Sequence, residues 1–240
     1  MYVIKEIFAT LQGEGHHAGT PAVFVRFAGC NMWSGSESTR SVDASRNAAS
    51  CALWCDTDFV GGDRMGGEEL AKRVVSIAQE TNMLSGLPLI VFTGGEPLLQ
   101  LDAALLTTLR LSLAAVDAAP KFAIETNGRT ELSVAVRAEL DWVCVSPKGS
   151  PEQLIVHEGD ELKVIYPAYH PEDFERSRGT LRFAHWYLQA EATPLAVDGT
   201  SLPVGETRLQ AEVMQTAAAY CMRNPSWKLS VQIHKVIDRP

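Results

Sequence analysis

The chain has 240 residues, 46% of them apolar, and a formal net charge of −8. That length suits one large domain or two small ones, with an ordinary globular core. The acidic balance argues against nucleic-acid wrapping, which needs a basic face, and favours a small substrate. No apolar run approaches the roughly 18 residues of a membrane span. The opening MYVIKEIFATLQGEG lacks the basic and apolar regions of a secretory leader. The expectation is a cytosolic chain with reduced thiols and no membrane or nucleic-acid partner.

Taken in chain order, Val23–Phe27 is the first predicted strand. The stretch 34–50, SGSESTRSVDASRNAAS, has almost no large apolar residue and reads as a surface loop. A helix follows at Glu68–Thr81, where Leu70, Val74, Ile77, Ala78 and Thr81 share one face. Strand Leu89–Thr93, helix Leu101–Val116, strand Phe122–Glu125, helix Leu132–Glu139 and strand Trp142–Ser146 come next. Strands Leu162–Tyr166 and Trp186–Gln189, helix Glu206–Met222 and strand Leu229–His234 complete the set. No internal repeat is present. Such alternation predicts an α/β fold, a mostly parallel sheet with outer helices. A closed eightfold barrel takes about 250 residues, and this chain spends many on loops. The expected architecture is therefore an incomplete TIM-type barrel, a single domain over 1–240 with a polar insertion near 34–50.

Polar motifs fall where these strands end: VFTGGEP, IETNG, VSPK and VQIHK. In parallel α/β architectures the carboxyl ends of the strands surround the site. Cys30, Cys51 and Cys55 are three of the five cysteines, separated by 20 residues (31–50) and by three (52–54). Three thiolates suit a soft metal or an iron–sulfur cluster. A structural zinc site would want a fourth ligand, for which His16 or His17 stands nearby in sequence. The alternative is a set of buried or surface thiols with no ligand. Cys144, inside a strand, and Cys221, inside an Ala-rich helix, read as core. In AVFVRFAG, Arg26 shares a face with Phe24 and Ala28. If that face points inward, its guanidinium needs an anion, either a bound carboxylate or Glu14. Gly94 and Gly95 allow close backbone approach, by a ligand or within an ordinary loop. Glu96 before Pro97 reads as structural.

The ordered set LQGEG, FVRFAGCN, WCDTDF, TGGEPLLQ, ETNG, VSPK and QIHK resembles the 7-carboxy-7-deazaguanine synthases. These are radical S-adenosylmethionine enzymes, and the likeness runs from Leu11 to Pro240. Both cysteine gaps are longer here than is common in that family, and QAEATPLAVDG (189–199) departs from its short Gln-Pro loop.

The resemblance implies that Cys30, Cys51 and Cys55 hold a 4Fe-4S cluster and that Trp54, Asp56, Gly95, Ser146, Pro147, Lys148 and Gln189 bind S-adenosylmethionine. It implies Leu11, Gln12, Gly13, Arg26, Thr93 and Pro240 around a pterin, with Glu14, Glu125 and His234 as catalytic groups and Thr57, rather than the flanking Asp56 or Asp58, on Mg²⁺. The implied reaction is a carbon–nitrogen lyase step, the ring contraction of 6-carboxy-5,6,7,8-tetrahydropterin with loss of ammonia. It needs a flavodoxin- or ferredoxin-type electron donor, and the family implies a homodimer. A glycyl-radical activating enzyme would share the cysteines and TGGEP without needing LQGEG and QIHK; a zinc-stabilised binding module would use the thiols and a histidine. The cysteine grouping predicts that Cys30→Ala, Cys51→Ala or Cys55→Ala each abolish the cluster, while Cys144→Ala and Cys221→Ala leave it. Iron content and visible absorbance of the five variants check this.

Overall fold

The computed structural model describes residues 1–193, 208–209 and 211–237. Its strands are β1 Tyr2–Leu11, β2 Pro21–Phe27, β3 Asp63–Met65, β4 Leu89–Gly94, β5 Lys121–Thr126, β6 Trp142–Val145, β7 Glu158–Tyr166, β8 Arg182–Ala190, β9 Ala192–Thr193, β10 Arg208–Leu209 and β11 Lys228–Ser230. The α-helices are α1 Arg40–Asn47, α2 Cys51–Trp54, α3 Gly67–Glu80, α4 Ala103–Ala114, α5 Val134–Glu139, α6 Pro171–Arg176, α7 Ala211–Arg223 and α8 Ile233–Val236. One sheet runs in the order β11-β8-β7-β6-β5-β4-β2-β1-β3. β1 is antiparallel to β2 and β3; every neighbouring pair from β2 to β11 is parallel. The protein is thus a mixed α/β fold built on a large, mostly parallel sheet.

Strand side chains alternate between two buried faces. Val23, Val25, Phe27, Ile90, Phe92, Phe122 and Ile124 join Leu70 and Val74 of α3 and Leu105, Leu106 and Leu109 of α4 in the main core. Phe92 is fully buried, and its truncation to Ala would cost about 3–5 kcal/mol. The alternate residues Ala22, Phe24, Leu89, Val91 and Ala123 form a separate cluster on the other face. Further toward the strand carboxyl ends the residues in this alternation turn polar: Arg26 on β2, Thr93 on β4 and Glu125 on β5.

The sheet is curled. From β1 to β11 there are seven strand steps in the sheet order, which would span roughly 34 Å if flat. The four residues from Leu11 to Gly15 reach at most about 14 Å. Nevertheless the Gly15 N–H donates to Ser230 Oγ at 2.9 Å and the Ile233 N–H to the Gly13 carbonyl at 2.9 Å. The residues after β1, next to one edge of the sheet, thus meet β11 at the other edge and the residues that follow it.

Helix starts follow local chemistry. Asp102 caps α4 by accepting the Leu105 N–H at 2.8 Å, and Ser133 caps α5 through Val136 at 3.3 Å. Four features depart from the sequence expectation. β1 went unpredicted because its register shifts between Ile4 and Glu6, which breaks the alternation. The polar stretch 34–50 holds α1 rather than only a loop, with Asp43 buried. α6, one of the short helices, begins at Pro171 and buries only Pro171 and Phe174. The last strand stops at Ser230, and His234 belongs to α8. Of the predicted helix Glu206–Met222, residues 206–207 and 210 lie outside the described residues. Among the described residues no helix is long and apolar enough to cross a membrane.

Asp141, just before β6, ties α4 to β5: its carboxylate accepts the Phe122 N–H at 2.8 Å and Arg110 Nη2 at 2.7 Å. Burial pushes its pKa up, but these donors win and hold it below the ordinary value. A folded-state pKa below the unfolded one stabilises the fold above the unfolded value, near 3.9, and that stability is lost as pH falls through the folded value. Asp141→Asn should therefore lower Tm at pH 7, with the gap to the parent chain closing as pH drops below about 4. Thermal melts of both chains across this range check it.

Candidate functional site

At the strand carboxyl ends lies a cavity of about 660 Å³, lined by residues from β1, β2, β4, β5, β7, β8, the Cys30 and Cys51–Phe59 segments, and α8. On one wall Lys163 of β7, only 4% exposed, places Nζ 2.5 Å from Glu14 Oε2 and 3.7 Å from Glu125 Oε1. Gln12 Nε2 donates to Glu125 Oε1 at 3.0 Å and Thr93 Oγ1 to Glu125 Oε2 at 3.1 Å. Gln232 Nε2 donates to Glu14 Oε1 at 2.7 Å. Burial opposes charge on both Glu14 and Lys163, yet their ion pair holds Glu14 well below the carboxylate range and Lys163 well above the ammonium range. The pair is therefore ionised at neutral pH.

His234 sits on Gly13: a Cβ there would fall 2.0 Å from His234 Nδ1. Burial lowers the pKa of His234 while Glu14 pulls it up, leaving it below the ordinary imidazole value. Arg26 reaches the same cavity, but its Nε donates to Glu6 Oε1 at 2.7 Å, so its protein partner is Glu6 and not Glu14. Leu11 lines the mouth at the end of β1. Pro240, the remaining residue assigned to this group, lies outside the described residues.

The same cavity is also lined by Cys30, Cys51 and Cys55. Burial pushes Cys51 up to about 12 and Cys55 up to about 11; Cys30 is also raised by burial, partly offset by N–H groups of Met32 and Trp33. Bare thiolates are unfavourable here, and a cationic metal group would reverse that balance. Cys51 and Cys55 span one turn of α2, with the Cys55 N–H donating to the Cys51 carbonyl at 2.7 Å. Among the described residues no three His, Cys, Asp or Glu side chains gather as around a single metal ion. The histidines considered as fourth ligands are elsewhere: His16 stacks on Trp142 at 4.7 Å, and His17 meets the same ring edge-on at 4.5 Å.

Further polar groups on the cavity lining would suit a ligand. Lys148 Nζ donates to Ser146 Oγ at 2.9 Å and lies 5.5 Å from the Trp54 ring. Trp54 Nε1 and Gln232 Oε1 are buried without a hydrogen-bond partner, and both residues line the cavity. Gln189 accepts from Ser230 Oγ at 2.8 Å; residues 194–199 of the stretch after it lie outside the described residues. Asp56 pairs with Lys235 at 2.5 Å and Asp58 with Lys5 at 2.7 Å, with half-buried Thr57 between them. Pro147 is buried and does not reach the cavity wall.

The glycine pair answers to the protein as well as to any ligand. Gly94 has φ +149°, and a Cβ would lie 2.3 Å from the Phe27 carbonyl oxygen; at Gly95 it would lie 2.2 Å from that of Gly29 and 2.7 Å from Cys30 Cβ. Both let β4 pack against the segment that delivers Cys30. Glu96 is fully buried and accepts from Thr126 Oγ1, the Asn127 N–H and the Leu98 N–H at 2.8, 2.8 and 3.0 Å. Sequence reasoning missed Lys163 and Gln232. The signal for Lys163 was a lone charge inside the apolar run LKVIY; Gln232 lay within the QIHK motif, where only the histidine drew attention.

A polar cavity at the carboxyl ends of a largely parallel sheet, one wall of thiols and one of paired charges, defines an α/β enzyme. No protein-family model matches the chain. It is 42% identical over 239 residues to the 7-carboxy-7-deazaguanine synthase of Bradyrhizobium diazoefficiens, covering 98% of this chain and 97% of that one. The corresponding synthase of Bordetella pertussis is 41% identical, covering 100% and 99%. The chain belongs to the 7-carboxy-7-deazaguanine synthase family. Crystalline QueE from Escherichia coli shares the fold, with a TM-score of 0.58 at 22% identity over 97% of this chain and 94% of that one. Gly13→Ala should force His234 off its seat toward solvent and raise its pKa toward the ordinary imidazole value. NMR titration of His234 in both proteins checks this.

Proposed function

We infer that the chain is itself a 7-carboxy-7-deazaguanine synthase of queuosine-type biosynthesis, converting 6-carboxy-5,6,7,8-tetrahydropterin to 7-carboxy-7-deazaguanine and ammonia. It would be a carbon–nitrogen lyase in a single domain shaped as an incomplete barrel, a shape favoured by the curl of the sheet. The observation that carries the reading is that three thiols and a lysine-bridged carboxylate pair open into one cavity, in a chain of this family. Neither a glycyl-radical activating enzyme nor a zinc module has a use for that second wall.

Cys30, Cys51 and Cys55 are the residues to hold a 4Fe-4S cluster, and the burial that disfavours their bare thiolates fits a cationic partner. Trp54, Asp56, Gly95, Ser146, Lys148 and Gln189 would hold S-adenosylmethionine, with Pro147 supporting Ser146 and Lys148 from behind; their presence on the cavity lining and the unpaired Trp54 Nε1, an open donor, support this. Thr57 offers a hydroxyl to Mg²⁺, its neighbouring aspartates being engaged by lysines. The chemistry the bound cluster and S-adenosylmethionine supply is radical initiation, with an electron from a flavodoxin- or ferredoxin-type donor.

The protein's part is orientation and proton control. Glu14 and Glu125 accept N–H groups from the pterin edge. Lys163 bridges the two, 2.5 Å from Glu14 and 3.7 Å from Glu125, and its pairing with Glu14 keeps that carboxylate charged despite burial. Gln12, Thr93 and Gln232 hold the carboxylate oxygens. Arg26, already facing the cavity, takes the substrate carboxylate in bidentate fashion by exchanging its contact with Glu6. His234, on the cavity lining, is the residue to exchange a proton, and Leu11 and Gly13 line the mouth beside it. The working assembly is a homodimer.

Anaerobic incubation with the pterin, S-adenosylmethionine and reductant should yield the deazaguanine and ammonia. Lys163→Met should lower kcat by about 10² or more while iron content stays at the parent level. Absence of product from the iron-loaded parent chain would overturn the reading.

A further inference from the structure

The polar stretch between the first two thiols is organised around one cation. Arg40, the first residue of α1, has a side chain only 14% exposed. Its Nη1 donates to the Ala52 carbonyl at 2.8 Å and its Nη2 to the Cys55 carbonyl at 3.1 Å. Nε and Nη2 each also reach a Glu37 oxygen at 2.7 Å. The guanidinium carbon stands 4.0 Å from the centre of the Trp33 ring. Trp33 is itself 2% exposed and meets Phe59 edge-on at 5.5 Å.

Both carbonyls belong to the turn that carries the second and third thiols. Terminal helix carbonyls have no partner within the helix, and a cation at that end both satisfies them and complements the helix dipole. The helix α1 that presents Arg40 is anchored in turn. Asp43 accepts the Ser34 N–H at 3.1 Å, Ser34 Oγ at 2.8 Å and Thr39 Oγ1 at 2.8 Å. Asn47 Nδ2 donates to the Met32 carbonyl at 2.7 Å. A guanidinium can hold two carbonyls and a carboxylate at once while stacking on a ring, whereas an ammonium on a flexible stem cannot.

We propose that Arg40 is a positioning residue for the cluster thiols. It locks the α2 turn so that Cys51 and Cys55, one helical turn apart, face the cavity together with Cys30, which is how this chain works with three residues between them. The polar insertion is thus the scaffold of the metal-binding turn. This rests on the reading of the three cysteines as cluster ligands.

The test reconstitutes the parent chain, Arg40→Met and Arg40→Lys anaerobically with iron and sulfide. Each is then titrated with a ferrous chelator, and the reduced protein is recorded by EPR with and without S-adenosylmethionine. Arg40→Met is expected to melt within a few degrees of the parent but to lose iron at about tenfold lower chelator concentration. Its EPR line should be altered, and Arg40→Lys should recover only part of the loss. Parent-like iron retention and an unchanged EPR line in Arg40→Met would overturn the proposal. Should Arg40→Met not fold, Glu37→Gln, which loosens the guanidinium without removing it, is read instead: a smaller fall supports the proposal and no change overturns it. A parent chain that takes up no iron overturns the cluster reading and the proposal with it, a result distinct from parent uptake with indifferent variants.

Discussion

The cavity depends on the buried ion pair of Lys163 and Glu14. An ammonium placed inside a central strand costs several kcal/mol unless it is paired. Its compensation comes from the far side of the sheet order, where Glu14 follows β1 and lies 2.5 Å away. In sheet order, β2, β4, β5 and β6 stand between β1 and β7. The pair can form only where the sheet has curled, so it joins the shape of the fold to the charge of the site. Removing Lys163 would leave Glu14 as a buried charge without its cation, the costlier outcome for a buried pair, whereas removing Glu14 would leave Lys163 only the longer contact with Glu125 at 3.7 Å. The bonds of Gly13 and Gly15 to Ile233 and Ser230 complete the same closure with neutral groups.

Around that pair the strands divide their labour along their length. On β2 and β4 the helix-covered face carries Val23, Val25, Phe27, Ile90 and Phe92, while the inner face begins apolar with Ala22, Phe24, Leu89 and Val91 and ends polar with Arg26 and Thr93. Parallel neighbours in register, such as Arg26 opposite Thr93, put those polar ends at one level. The apolar floor excludes water beneath the charges and strengthens their interaction. Glycines serve this design where backbones must touch. Gly94, at φ +149°, lets β4 lie against β2 just before Cys30, and Gly13 makes the seat of His234.

The thiol wall has a different origin. Its elements are short, and α2 has four residues, too few to be stable alone. Its order comes from side chains reaching backbone: Arg40 to Ala52 and Cys55, Asn47 to Met32, Arg129 to the Asn47 carbonyl at 2.8 Å. A segment without large apolar residues can still be structured when its polar groups find partners in this way, which is why composition alone misjudged 34–50.

From sequence alone the α/β alternation, the strands of the parallel region and the grouping of motifs at strand carboxyl ends are legible, because apolar periodicity and turn chemistry are local properties. β1 was not, since its register shift hides the alternation, and the extension of the last strand to His234 was wrong because α8 starts within an apolar–polar run that also fits a strand. Ordered motifs named Glu14, Glu125, Arg26 and the three cysteines as candidates. They could not assign partners: that Arg26 faces Glu6, that Lys163 bridges two carboxylates, or that Gly95 packs on Cys30. The first and last depend on strand register, Glu6 lying opposite Arg26 and β4 beside β2; the bridge joins residues 149 positions apart and exists only once the sheet has curled and brought the strand ends to one rim.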